Sequence, residues 1–292
     1  MKILVFGKTG QVARALSAAG PAAGVEITAH GRDTADLTNP AACAAIIAAS
    51  EADAVINAAA YTGVDAAETD EATAHIINAD APAAMAQACA IRGIPFVHIS
   101  TDYVFDGTAG APWHPTDPTG PLGAYGRTKL AGEEGVKDAG GTFVILRTAW
   151  VFDAEGKNFV TTMLRLSETR DALSVVADQI GGPTPAPAIA DACLKIAKTL
   201  AAGQGTGGTY HLSGAPDVSW ADFARAVFDS AGRNVTVTDI PTAEYPTPAK
   251  RPANSRLDCT STLATFGIIR PDWHRALAKM LPQQTSSRRT MV

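Results

Sequence analysis

The chain has no block of lysines and arginines, and a net charge of −5 with 18% charged residues excludes the basic footprint of a nucleic-acid binder. Long apolar runs are also missing. The longest, such as Ala54 to Ala60, stop well short of the ~18 residues that mark a membrane-crossing helix. The N-terminus runs straight into a strand without a signal-peptide layout, so the expected location is the cytoplasm, with neither membrane nor nucleic acid as a partner. Cysteine is scarce: Cys43, Cys89, Cys193 and Cys259 show no paired spacing and no adjacent histidine ligands, so buried free thiols and no metal are expected. There is no internal repeat. Lys8 is not a P-loop lysine, because no Gly-Lys-Ser/Thr sequence follows the first glycine at the required spacing.

What is present is an alternation of short apolar strands and Ala-rich helices. Lys2 to Phe6 reads as a buried strand, Gln11 to Ala19 as a helix and Val25 to Ala29 as a second strand, the opening of a right-handed βαβ unit. The rhythm recurs with a helix near Ala41 to Ala49, a strand at Ala54 to Asn57, a long helix over Asp70 to Arg92 and a strand at Pro95 to Ser100. The Tyr125 helix then leads to Phe143 to Arg147. The expected fold class is therefore α/β, a Rossmann-type doubly wound parallel sheet with a smaller α/β cap. At 292 residues the chain is long enough for both parts. Residues 1–148 and about 178–206 are assigned to the first lobe, and about 149–177 and 207–282 to the cap. Residues 283–292 read as a polar, disordered tail.

Gly7, Gly10 and Ala13 follow the first strand and open a helix, so backbone can approach a pyrophosphate while the helix N-terminus supplies amide donors. With Thr9, Gln11 and Val12 they form the expected nucleotide turn. An acidic residue normally grips the adenosine ribose at the end of the second strand, but His30, Gly31 and Arg32 stand there. Arg32 suits the 2′-phosphate of NADPH, with NADH as the other possible cofactor. Asp36 and Leu37 are expected beside the adenine, and Ala60, Tyr61 and Thr62 beside the inner nucleotide, because both segments follow strand ends.

Tyr125 and Lys129 stand four residues apart, which places both on one helical face, where an ammonium can hold a phenol near its ionisation threshold. Such a phenol can protonate the alkoxide formed from a ketone. Ser100 to Phe105, after the fourth strand, supplies a hydroxyl that can meet that helix. The Gly7 turn, Asn57 to Thr62, Ser100 to Gly107 and Tyr125 to Lys129 together resemble the extended short-chain dehydrogenase/reductase family. Asn158 to Leu166, Asp178 to Thr184 and Tyr245 to Leu257 extend the likeness to its dTDP-4-keto-6-deoxy-sugar reductases over nearly the whole chain.

That resemblance implies NAD(P)H-dependent reduction of dTDP-4-dehydro-6-deoxy-L-mannose at C4, giving dTDP-L-rhamnose. It assigns Tyr125 as proton donor, Lys129 as its electrostatic partner and ribose ligand, and Thr101 as a hydroxyl at the sugar carbonyl, with Ile99 beside the cofactor. It also places Asp102, Trp150, Asn254, Ser255 and Arg256 at the substrate. Two departures stand out. The missing acidic ribose partner leaves NADPH against NADH open, and Ala15 occupies a position where some members carry an acid for an intersubunit metal, so a monomer or weak homodimer is expected. A sugar-nucleotide dehydratase is disfavoured because Thr101 is followed by Asp102 and Tyr103, not by an Asp-Glu pair. A non-catalytic NADP-binding regulatory subunit of the same fold, or a reductase for another NDP-4-keto sugar, remains an alternative.

Overall fold

The computed structural model describes residues 1–281; the expected tail at 283–292 lies outside them. Five strands, β1 (Lys2–Phe6), β2 (Glu26–His30), β3 (Ala54–Asn57), β4 (Phe96–Thr101) and β5 (Phe143–Thr148), join Gly208–Leu212 in one sheet. The order is Gly208–Leu212, β5, β4, β3, β1, β2, and every pairing is parallel. The central strands are largely apolar because both faces are covered, and their polar residues, such as Asn57, His98 and Arg147, are buried as well. Ile3, Val5, Ile56, Val97 and Leu146 pack with the Ala186–Ala201 helix on one face, and Leu4, Val55, Phe96 and Ile145 pack with Met85 and Cys89 on the other. The strand order reverses between β1 and β3, so the crevice for a ligand opens where Gly7 and Ala58 follow those strands.

The Gly208–Leu212 strand, expected in the cap, belongs instead to this sheet, in register with Val144 to Thr148 of β5. Its Tyr210 and Leu212 are buried in the sheet's own core, and Phe266 of the Thr260–Phe266 helix packs edge-on against Tyr210 at 4.9 Å. The cap has a separate core around Phe152, Met163, Val175, Phe223 and Trp273. Its strands Ala172–Val176 and Thr236–Ile240 pair in parallel. Asn158 and Ser219 start its helices Phe159–Leu166 and Trp220–Ser230, each side chain accepting a first-turn amide.

The long helix expected over 70–92 carries a π turn at Ile76–Asp80, between Glu71–His75 and Ala81–Arg92. Pro82 has no N–H to offer the Asn78 carbonyl four residues earlier, so regular α bonding cannot continue there. That carbonyl is pushed toward the Ala124–Asp138 helix, where a Cβ on Gly132 would lie only 2.0 Å from it. Glycine lets the two helices touch. All four cysteines are buried and free. Among the described residues no helix is long and apolar enough to cross a membrane.

Candidate active site

Gly7 leaves β1 with φ 114°, a conformation that side chains rarely adopt, and a Cβ there would press on Ala13 and Ala58 at 3.2 Å. The helix Gln11–Ala19 that follows has no side-chain cap on its first turn, and a Cβ on Gly10 would meet nothing within 4 Å. Free amides therefore open onto empty space with the positive end of the helix dipole behind them, an arrangement that fits a dinucleotide pyrophosphate. Thr9 and Gly10 are exposed, Gln11 is half-buried and Val12 is buried. Gln11 accepts a 3.0 Å bond from Asn158, tying the cap to this turn.

At the end of β2, Arg32 is exposed and makes no ion pair or hydrogen bond among the described residues. His30 meets Thr34 at 3.1 Å, and Asp36 accepts from the Thr38 amide at 2.9 Å, while Leu37 turns into the core. The Ala60–Tyr61–Thr62 loop is fixed by a residue not singled out from the sequence. Buried Asn78, in the π turn, accepts from the Tyr61 amide at 2.8 Å and donates to the Tyr61 carbonyl and the Thr128 hydroxyl, both at 3.1 Å. A polar residue inside an apolar helix, four before a proline, was the available signal.

The Tyr125 helix begins at Ala124, whose amide is received by Glu68 at 2.8 Å, a carboxylate cap contributed from another segment. Gly126 lets it approach Tyr103, since a Cβ there would stand 2.2 Å from the Tyr103 carbonyl. Tyr103 and Tyr125 consequently pack edge to face at 5.5 Å. The Tyr125 phenol is held well above its ordinary pKa by burial; the Thr101 hydroxyl opposes this, and Asp102 and Tyr103 add to it. Depression of the phenol by Lys129 was the expectation, but the Lys129 amine turns elsewhere, donating to the Ile99 carbonyl at 2.7 Å and facing His98 Nε2 at 3.2 Å. Burial lowers Lys129 to about 8, with Glu133 opposing.

Thr101 closes β4, accepts from the Tyr103 amide at 3.2 Å and donates to Asp102 Oδ1 at 3.1 Å. Asp102 is 3% exposed, and its Oδ2 closes no hydrogen bond. Burial raises its pKa to about 6, with nearby Ser255 and Thr101 opposing. Thr101, Asp102, Tyr125 and Ser255 thus form one cluster, and Lys129 lies one helical turn beyond Tyr125.

A cavity of about 680 Å³ is walled mainly by the cap, with Phe159, Trp220, Arg170, Tyr245 and Arg251 on its lining, and Tyr103 reaches it from the side of the cluster. Trp150 supports that wall from behind: it has φ 50°, stacks on Trp220 with ring centroids 3.5 Å apart, and a Cβ on Gly181 would strike its ring at 2.6 Å. A left-handed tryptophan is strained backbone held by its surroundings. Asn254 and Arg256 are engaged elsewhere. Asn254 donates to the Ala109 and Ala111 carbonyls at 2.8 Å and accepts from Arg256 Nε at 2.8 Å, while Arg256 donates to the Gly110 carbonyl at 2.8 Å. They clamp a loop, whereas Arg251, which shares the cavity wall with Arg170, is bonded to the Tyr103 hydroxyl at 3.0 Å and Asp65 at 2.8 Å.

Comparison with known proteins gives one consistent result. A family model described as the RmlD substrate binding domain matches residues 1–286. A dTDP-4-dehydrorhamnose reductase of Sinorhizobium fredii is 45% identical over 288 residues, covering 96% of this chain and 97% of that protein. Crystal structures of dTDP-4-dehydrorhamnose reductases from Clostridium acetobutylicum and Bacillus anthracis match with TM-scores of 0.90 and 0.88. Their identities are 38% and 32%, each covers 96% of this chain and 98% of the other, and the second is a complex with NADP. With sequence and fold agreeing along almost the full length, the chain belongs to the dTDP-4-dehydrorhamnose reductase family.

Proposed function

We propose that this oxidoreductase reduces the C4 ketone of dTDP-4-dehydro-6-deoxy-L-mannose to dTDP-L-rhamnose, with Tyr125 as the proton donor. The observation that carries this reading is the meeting of the Thr101 and Tyr125 side chains at the end of β4, joined through Tyr103 to a cavity with two arginines on its wall. A reduced nicotinamide supplies the hydride when bound. The chain's own residues must orient the ketone, polarise it and hold a proton for the oxygen that becomes negative.

Burial keeps the Tyr125 phenol protonated through neutral pH, so the proton is in place when the oxyanion develops. Thr101 offers a second hydroxyl at the same oxygen. Lys129, on the same helical face, holds the ribose side of the cofactor and stabilises the phenolate that remains. Gly7, Thr9, Gly10, Gln11 and Val12 hold the pyrophosphate, and Ala60, Tyr61 and Thr62 line the inner nucleotide. NADPH is the proposed cofactor, supported by exposed Arg32 and by the NADP complex of the Bacillus anthracis relative.

In the cap, Arg170 and Arg251 suit a diphosphate, and the faces of Phe159 and Trp220 suit a base. Arg251 takes the role expected of Arg256, while Asn254 and Arg256 act by holding the loop at 109–111. The proposed state is a cytoplasmic monomer or weak homodimer. NADPH oxidation by the purified protein with the dTDP-4-keto sugar, run beside its GDP and UDP counterparts, tests the reading. Turnover should be fastest with the dTDP sugar; equal rates with all three, or none, contradict it.

A further inference from the structure

Beneath the proposed site a buried polar chain ties Lys129 of the Tyr125 helix to two residues that the reaction scheme does not use, Asn57 at the end of β3 and His98 in β4, none of the three more than 2% exposed. Asn57 Oδ1 accepts from the Ala59 backbone amide at 3.1 Å. A backbone N–H can only donate, so the other end of this side chain is its NH₂ group. That group faces His98 Nδ1 at 3.2 Å, and Lys129 Nζ faces His98 Nε2 at 3.2 Å while donating to the Ile99 carbonyl at 2.7 Å. An ammonium can also only donate. A neutral imidazole has one lone pair, so with Lys129 charged one ring nitrogen presents an N–H to another donor.

We propose that His98 is a positioning residue for Lys129: Asn57 fixes the imidazole as the Nε2–H tautomer, and that N–H favours the uncharged, lone-pair-bearing amine in the cofactor-free enzyme. Every group is then satisfied, because the amine donates to Ile99, accepts from His98 and keeps one N–H for the site. The surrounding groups act in opposite directions on the amine. Glu133, one turn further along the helix, favours the ammonium, but it is bound by Arg147 from β5. Burial outweighs Glu133 and lowers Lys129 to about 8, easing the loss of its proton, and burial, with Lys129 adding to it, holds His98 neutral far below its ordinary range. Tyr125, one turn back, is kept protonated by its own burial. The role at Lys129 rests on the reading above, whereas the tautomer does not.

The test uses the full-length, cofactor-free protein labelled with ¹⁵N-histidine, its His98 signals identified by their loss in His98→Gln. A neutral Nε2–H imidazole at neutral pH is expected; an Nδ1–H tautomer or an imidazolium overturns the proposal whatever the enzyme's substrate proves to be. The Lys129 Cε shift is then titrated in Asn57→Asp, whose carboxylate recruits the proton to Nδ1 and lets Nε2 accept. The midpoint should rise by about one unit or more, a tenfold change in the ammonium population. In the Asn57→Asp, His98→Gln double variant that rise should vanish; its persistence means a direct charge effect and contradicts the role of His98. If the Asn57 variant does not fold, the tautomer spectrum of the parent protein alone decides.

Discussion

Arg147 of β5 grips Glu133 of the Tyr125 helix through two hydrogen bonds, Nε to Oε1 at 2.8 Å and Nη2 to Oε2 at 2.6 Å, with both side chains at 2% exposure or less. Ser100 of β4 donates to the same carboxylate at 2.6 Å, and the guanidinium lies 4.9 Å from the Phe105 ring centre. The pair fastens the helix to the two strands that end at the site. Glu133→Gln leaves Arg147 as a buried charge without its partner, so unfolding in urea should show a loss of about 3–5 kcal/mol. A change within ordinary surface-mutant range contradicts the pair's structural role.

Asp102 gives a pH signature with a defined sign. Its carboxyl titrates at 3.8 when unfolded and at about 6 when folded, because burial disfavours the charge. Between those values the folded chain binds more protons than the unfolded one, so this group's contribution falls as pH rises through the window. Asp102→Asn removes the effect, and the variant should gain on the parent by about 3 kcal/mol between pH 4 and 7. A stability difference that is flat across that range would show that the carboxyl is not desolvated.

Arg251 and Arg256 should separate cleanly. Arg251→Ala removes a cation from the cavity wall and should weaken binding of the dTDP sugar by ~10-fold or more with NADPH affinity unchanged. Arg256→Ala frees the loop at 109–111 and should lower stability, with a smaller effect on sugar binding. Titration calorimetry reads both. Sugar affinity lost only in the Arg256 variant reverses the assignment.

Arg32→Ala should cost NADPH use selectively, by ~10-fold or more in kcat/KM, because a charge-assisted contact to the 2′-phosphate has no counterpart in NADH. Equal losses for the two cofactors, or none, make Arg32 a solvated turn residue.

The doubly wound sheet was legible because its signals are local. Apolar runs bounded by glycine, the Gly7 and Gly10 turn and the Ser219 cap each span a few residues, and alternation along the chain implies a parallel sheet. Long-range choices were not. Gly208–Leu212 carries no mark of its partner β5, some sixty residues earlier, and so looked like a cap strand. Likewise, nothing near Arg251 or Arg256 distinguishes them; Asp65 and Tyr103, far away in sequence, draw one to the cavity, while Gly110 holds the other. The spacing of Tyr125 and Lys129 sets a common face but not the direction of the amine, which Ile99 and His98 decide.

Tyr125→Phe tests the central claim most directly, since it keeps the ring against Tyr103 and removes only the transferable proton. NADPH oxidation with saturating dTDP-4-keto sugar should fall by ~100- to 10,000-fold, the usual worth of general acid assistance. NADPH affinity, read by fluorescence titration on the same preparation, should stay at the parent value. Turnover equal to that of the parent protein, with the fold intact, contradicts Tyr125 as the proton donor.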